Sequence, residues 1–460
     1  MLQPLIFFLI CAIGFGYAGY KFSKLRRNVL LGKDEVIEKN PSQRFKNMML
    51  VAFGQKKMFK RWIPAVLHGF IYVAFLFTQI ELIEILVDGF TNGHRTFAPL
   101  MGGLYTLILN TIEILSVLAL FATIIFLWRR NMLSIPRFNK PEMAGWPHKD
   151  ANIILYLEIL LVMAILTMNG TDVVLQGIDP AHYPDTGALA VSSWFGPLVF
   201  GGLPESSLVT LERVGWWLHF LVVIAFLNYL PISKHLHIIF AFPMTYFARL
   251  SPKAEMENMP EVQKEVQSMM DPEAAFDEAD MSAELPEFGA QDITELSWID
   301  VLGGYACTQC GRCTAVCPAN LTGKKLSPRK IMMDIRTRAE EIGTKLDSGD
   351  KQYIAEDKKE SAKALTKDNF DDGKNLFDLI SREEIHACTT CQACVEACPI
   401  NINPLEPILK LRRHEILTES AGPADWFPMF TAIENGGAVW AMSDARDKWA
   451  EEIQSPPAAE

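Results

Sequence analysis

Apolar residues fill the first half of the chain in blocks too long for the helices of a small soluble core. Segments 2–20, 63–87, 104–128 and 151–175 carry few charges, and a fifth, 208–230, has the pair Glu212 and Arg213 near its start. A helix needs roughly 20 apolar residues to cross a hydrocarbon core of about 30 Å, so each block predicts a membrane-spanning helix. Residues 1–20 have no basic start and no small-residue cleavage pattern, and are expected to stay as an anchor. Beyond residue 250 the pattern breaks. Segment 251–292 sets twelve acids against two lysines, the composition of a solvated linker. A shorter amphipathic pattern follows over 293–418, and 419–460 forms a tail rich in Trp and Phe.

Basic residues set the expected orientation. The 21–61 connection is crowded with Lys and Arg and the 129–150 connection holds five, whereas 88–103 has only Arg95 and 172–207 has none. By the positive-inside rule the N-terminus lies outside, and the second half of the chain is cytoplasmic on a multi-pass cell (inner) membrane protein. The expected fold class is mainly α: a five-helix transmembrane bundle over 1–250, then a mostly helical soluble domain. The net charge of −11 comes largely from the linker. It points to no cationic partner, and nothing supports nucleic-acid binding.

Eight of the nine cysteines stand in two runs. Cys307, Cys310, Cys313 and Cys317 precede Pro318, and Cys388, Cys391, Cys394 and Cys398 precede Pro399. Each run is C-x2-C-x2-C-x3-C-P, the spacing that holds [4Fe–4S] clusters in bacterial-type ferredoxins, where the fourth Cys ligates the other cluster. One cluster is therefore expected on Cys307, Cys310, Cys313 and Cys398, and the other on Cys388, Cys391, Cys394 and Cys317. Zinc also uses C-x2-C pairs, but four ligands in two pairs fit this doubled pattern poorly. A reducing compartment suits the free thiols. Between the runs, 327–345 reads as a helix opening on Ser-Pro, and 346–373 as a solvated face or loop.

Ionisable residues inside apolar helices are costly and so point to function. His68 lies near the cytoplasmic end of the second helix, His219 mid-way along the fifth, and His237 near that helix's cytoplasmic end, with His235 close by. A lone membrane histidine is commonly a helix–helix hydrogen bonder. Two at matching depth can instead ligate a haem, and in antiparallel helices His68 pairs with His237 rather than His219. No C-x-x-C-H occurs, so a covalently attached c-type haem is excluded.

The stretch from His219 through Leu230-Pro231-Ile232-Ser233-Lys234-His235-Leu236-His237 to Phe242-Pro243 resembles the last membrane helix of the respiratory nitrate reductase gamma subunits. Those are five-helix, quinol-oxidising cytochromes b. The resemblance implies an inner haem b ligated by His68 and His237. The family's second ligand on helix two falls on Thr78 here, so His219 is left either to a second haem or to a quinone site. Glu81 and Glu84 read as polar contacts or proton-handling groups. The soluble half resembles the iron–sulfur subunit of heterodisulfide-reductase-like complexes. Ala306–Cys313, Leu326-Ser327-Pro328-Arg329-Lys330, Asn401–Pro404 and the tail Trp426-Phe427-Pro428 carry that likeness.

The two resemblances together imply an electron-transfer subunit of a quinone-linked oxidoreductase. Electrons would pass between membrane quinone, haem b and two [4Fe–4S] clusters. No nucleophile or flavin motif is present in the sequence, so the substrate site is expected on a soluble partner. That partner would be a cysteine-rich protein with Cys-Cys-Gly motifs, a flavoprotein or an electron-transfer flavoprotein. Two other readings stand: an iron–sulfur membrane anchor without haem, and a redox sensor or scaffold.

Overall fold

The structure is a computed structural model, described for residues 2–252, 255–256, 258–270, 288–440 and 447–454. It is helical throughout, and the described residues form isolated bridges but no strand. Nearly half of 251–292 lies outside the described residues; within it a helix spans Pro260–Met270. The chain divides into two compact units, residues 1–258 with 292–408, and 259–291 with 409–460.

Five helices are long and apolar enough to cross a membrane: α1 (Leu2–Val29), α2 (Trp62–Thr91), α3 (Gly103–Asn131), α4 (Trp146–Ile178) and α5 (Glu205–Tyr229). Their outward faces carry exposed Ile13, Ile83, Phe121 and Ile124. The interior holds an aromatic cluster of Phe7, Trp216 and Phe220 with Ile85 and Met168. Close packing leaves no room at Gly89, where a Cβ would meet the Phe7 ring. The arrangement is that expected in lipid: apolar side chains outward, and polar ones such as Glu84 and Glu113 buried against donors.

The helices outrun the apolar blocks because their ends also serve the second half of the chain. The last two turns of α1 hold Lys24 and Arg27, which pair with Asp347, and Asn28, which donates to Tyr305 Oη at 3.0 Å. Just past α1 the backbone bridges to the start of the dicluster region, Lys33 N donating to Leu296 O at 2.7 Å and Trp298 N to Lys33 O at 3.0 Å. Gly32 permits this approach, since a Cβ there would fall 2.7 Å from Trp298 N.

After α5, two short turns lead to α6 (His237–Phe247). The dicluster region opens on α7 (Trp298–Ala306), started by a capping box between Ser297 and Asp300. Its largest helix is α8 (Pro328–Ser348), capped by the Ser327 side chain and ended by left-handed Gly349. On α8, buried Arg338 binds Asp292 and Asp372, with N–O distances of 2.7 Å to each, and the Lys374 carbonyl at 2.6 Å. Most of segment 346–373 is exposed, as its composition suggests, while Asp372 is drawn inward by a cation on α8. Isolated buried charges are costly, and the full pairing offsets that cost.

Candidate electron-transfer site

The two cysteine loops are built alike. In the first, Gln309 (φ 55°) and Gly311 (φ 69°) take left-handed conformations; in the second, Thr390 (φ 56°) and Gln392 (φ 59°) do so at the equivalent positions. These residues turn the chain tightly enough for three cysteines to face one centre. Glycine is required at 311, where a Cβ would meet the Arg329 guanidinium at 2.5 Å. Backbone N–H groups are aimed at sulfur: Thr390 N at Cys388 Sγ (3.4 Å) and Ile402 N at Cys398 Sγ (3.3 Å).

The thiols sort into two groups that cross the runs. Cys398 lies within electrostatic reach of Cys310 and Cys307, and Cys313 within reach of Cys307, Cys310 and Cys398. Cys394 is grouped with Cys388, Cys317 and Cys391, and also lies in reach of Cys313. Burial, reinforced by these neighbours, pushes Cys307 up to about 11 and Cys394 and Cys398 up to about 12. Bare thiolates would repel one another here, whereas bound iron neutralises them. Among the described residues, no three His, Cys, Asp or Glu side chains converge closely enough to hold a single metal ion. Thiolates around a cubane stand further apart, because each binds its own iron.

At the adjoining end of the bundle, the rings of His68 on α2 and His237 at the start of α6 lie with centroids 6.5 Å apart, tilted by 43°. Two imidazoles on one iron, each with a metal–nitrogen bond of about 2.0 Å, would place their centroids about 6.3 Å apart. The Nδ1 of each ring is already engaged. His68 Nδ1 meets Gln55 Oε1 at 3.1 Å, and His237 Nδ1 meets the Lys234 carbonyl at 3.0 Å. That orients both Nε2 atoms for a ligand, the usual arrangement of metal-binding histidines. Burial lowers the pKa of His237, favouring the neutral form that binds metal. The residues therefore fit a bis-histidine haem. His235 sits 5.6 Å from His237 and 5.1 Å from Phe226, ring centre to ring centre, and burial followed by His237 lowers it to about 3.

His219 lies apart from this pair, 1% exposed, with its Nδ1 unpartnered among the described residues. Thr78, at the position of the missing helix-two ligand, donates to the Phe75 carbonyl at 3.1 Å.

Two side chains join the histidine pair to the first cysteine loop. Lys234, whose carbonyl receives His237, donates through Nζ to Gln309 Oε1 at 2.8 Å and to the Pro147 carbonyl at 2.5 Å. Burial, with Arg130 nearby, pulls this ammonium down to about 7. Arg312, inside the same loop, donates to the Lys57 carbonyl at 3.3 Å and lies in electrostatic reach of Cys310, Cys398 and His68. Arg329, fully buried, locks the loop to the α3–α4 connection through Glu142 (2.7 Å) and the Arg137 carbonyl (2.6 Å). Arg312, Arg329 and Lys234 stand inside motifs visible in the sequence, but nothing local says what they touch. Gln55 and Glu142 gave no signal at all.

A family model described as a 4Fe-4S dicluster domain matches residues 306–402. The chain is 26% identical over 476 residues to a probable iron-sulfur-binding oxidoreductase, FadF, of Bacillus subtilis, covering 98% of this chain and 61% of that protein. It is 24% identical to an EtfAB:quinone oxidoreductase of Syntrophomonas wolfei, covering 92% of this chain and 56% of that one. Over 37% of its length it is 26% identical to one subunit of the ferredoxin/F(420)H(2)-dependent CoB-CoM heterodisulfide reductase of Methanosarcina acetivorans, of which 82% is covered. The chain thus spans about three-fifths of the first two relatives. No solved structure matches it. Five apolar helices and a dicluster domain carrying eight cysteines define an iron–sulfur electron-transfer protein of the membrane, with two 4Fe-4S clusters and an oxidoreductase role.

Proposed function

We propose that this chain relays electrons between the membrane quinone pool and a soluble partner, through a haem b on His68 and His237 and two [4Fe–4S] clusters with crossed ligation. One cluster is held by Cys307, Cys310, Cys313 and Cys398; the other by Cys388, Cys391, Cys394 and Cys317. When bound, haem and clusters supply one-electron transfer at potentials set by ligands, burial and hydrogen bonds. The chain's own residues hold these groups in order and keep water from them.

The observation that carries the reading is Lys234, which touches both sites at once, holding His237 through its carbonyl and Gln309 through its ammonium. Together with Arg312 it makes the Cys307 loop the neighbour of the haem. The Cys388 loop, whose Cys391 is exposed, then faces the soluble partner. The positive-inside pattern supports a cytoplasmic location for both clusters. The relatives' printed names support a partner of the electron-transfer flavoprotein or heterodisulfide-reductase kind. Exposed Phe427, Trp440 and Trp449 in the tail suit its docking. His219 serves a second haem or the quinone site.

A reduced-minus-oxidised visible spectrum of detergent-purified protein, with haem and iron quantified per chain, tests this. A b-type band with one haem and about eight non-haem irons, the number in two [4Fe–4S] clusters, is expected. Two haems would make His219 a ligand. Iron without haem would sink the cytochrome reading and leave a cluster-bearing anchor.

A further inference from the structure

The half of the bundle remote from the cysteine loops buries six carboxyls, Glu81, Glu84, Asp88, Glu113, Asp172 and Glu212, each no more than 5% exposed. Two guanidinium groups face them, Arg95 in the α2–α3 connection and Arg213 on α5. Five of the six carboxyls have donors. Glu84 accepts from Tyr105 Oη at 2.7 Å and Phe97 N at 2.9 Å, and Asp88 from Arg95 N at 3.0 Å. Glu113 accepts from Val191 N at 2.8 Å and Ser192 N at 3.1 Å, and Glu212 from Arg213 Nη2 at 2.7 Å. Asp172 meets His94 Nε2 at 2.8 Å and Arg95 Nε at 3.4 Å.

Glu81 differs. Among the described residues both of its oxygens are buried with no hydrogen-bond partner, and Arg95 Nη1 is 3.7 Å away, in range for an ion pair but too far for a hydrogen bond. An unsatisfied carboxyl inside a membrane helix is costly to keep, so a group that satisfies it is expected beside it. Its surroundings say what kind. Glu81 lies one helical turn from Ile85, which shares a buried cluster with Trp216 and Phe220 of α5, the helix that also carries His219. The His219 Nδ1 is likewise buried without a partner. A flat apolar ring bearing polar oxygens, the head group of a quinone, suits a carboxyl and an imidazole that lack partners on two helices sharing an aromatic cluster.

We propose that Glu81 is the carboxyl that exchanges a proton with the quinone, with Arg95 as its charge partner and Asp172 and His94 as the route to the surface. This rests on the quinone-linked function above and deepens it. A quinone becomes a hydroquinone by taking up two electrons and two protons. Electrons arrive through the proposed relay. With the first, the Glu81 O–H bond breaks as one quinone O–H bond forms, the resulting carboxylate faces Arg95, and a proton arriving past His94, whose side chain is 18% exposed, restores the acid. The same exchange with the second electron forms the second O–H bond. Hydroquinone oxidation runs the same steps backwards.

The test is redox-induced infrared difference spectroscopy on the purified full chain with a short-chain naphthoquinone, for the wild type, Glu81→Gln and Glu81→Asp. The expected result is a carboxyl C=O band in the wild type that changes with quinone redox state and shifts in deuterium oxide. Glu81→Gln should lack it and lose about 100-fold or more in quinone turnover, the usual scale of a proton-transfer group, with the visible spectrum and iron content unchanged. Glu81→Asp should keep a shifted band. A wild type that turns over quinone without any such band overturns the proposal without recourse to a variant, as does a band that survives in Glu81→Gln. A wild type that does not react with quinone at all removes the relay reading as well.

Discussion

His68→Leu and His237→Leu should each abolish the b-type absorption band while leaving both clusters reducible by dithionite. Leucine fills much of the imidazole's volume, so the bundle keeps its packing, but the proposed haem would lose one of its two holding histidines. Loss of an outer hydrogen-bond partner alone costs a metal site roughly 10–100-fold, and loss of a ligand should exceed that in the rate of electron transfer between quinone and clusters. His235→Leu is the internal control. Its ring lies 5.6 Å from His237 and 5.1 Å from Phe226, and its replacement should leave the band in place. A band that survives in His68→Leu but is lost in His235→Leu would move the ligand assignment. The visible spectrum of each variant decides the matter.

The second large effect concerns Cys398. By sequence it belongs to the second run; by position it lies among Cys307, Cys310 and Cys313. Cys398→Ala should therefore remove the cluster of the first loop, lowering the non-haem iron from about eight to about four per chain. The remaining paramagnetic signal should match that of Cys313→Ala, not that of Cys394→Ala. Cys317→Ala should show the converse. If Cys398→Ala instead resembles Cys394→Ala, each run binds its own cluster and the crossed arrangement is wrong. Both fourth cysteines are buried, Cys398 at 9% and Cys317 at 7% exposure, so each variant needs its helical content checked alongside.

What the sequence reveals here follows from how locally each feature is encoded. Four cysteines within eleven residues announce a cluster because the loop that wraps it is itself local. Apolar blocks announce membrane helices because the lipid acts on every residue in turn. The ends of those helices are a different matter. Leu2–Val29 extends well beyond the apolar block, since Lys24, Arg27 and Asn28 find partners on residues more than 270 positions later. The same distance hides the junction: Lys234 is one basic residue near a helix end until Gln309 is brought to it. Glu81 makes the point most sharply. Sequence shows a row of acids in apolar helices, but only the tertiary structure separates the five that have donors from the one that has none.

Quinone-linked relay through the membrane to the clusters is the central claim, and one measurement addresses it directly. Purified wild-type chain is reduced with dithionite, freed of excess reductant, and mixed with a membrane-soluble quinone while the paramagnetic signals of the reduced clusters are followed. The relay predicts that both cluster signals disappear as hydroquinone forms, and that His68→Leu slows their loss. Clusters that stay reduced in the presence of quinone, or that are oxidised equally fast in His68→Leu, would contradict it.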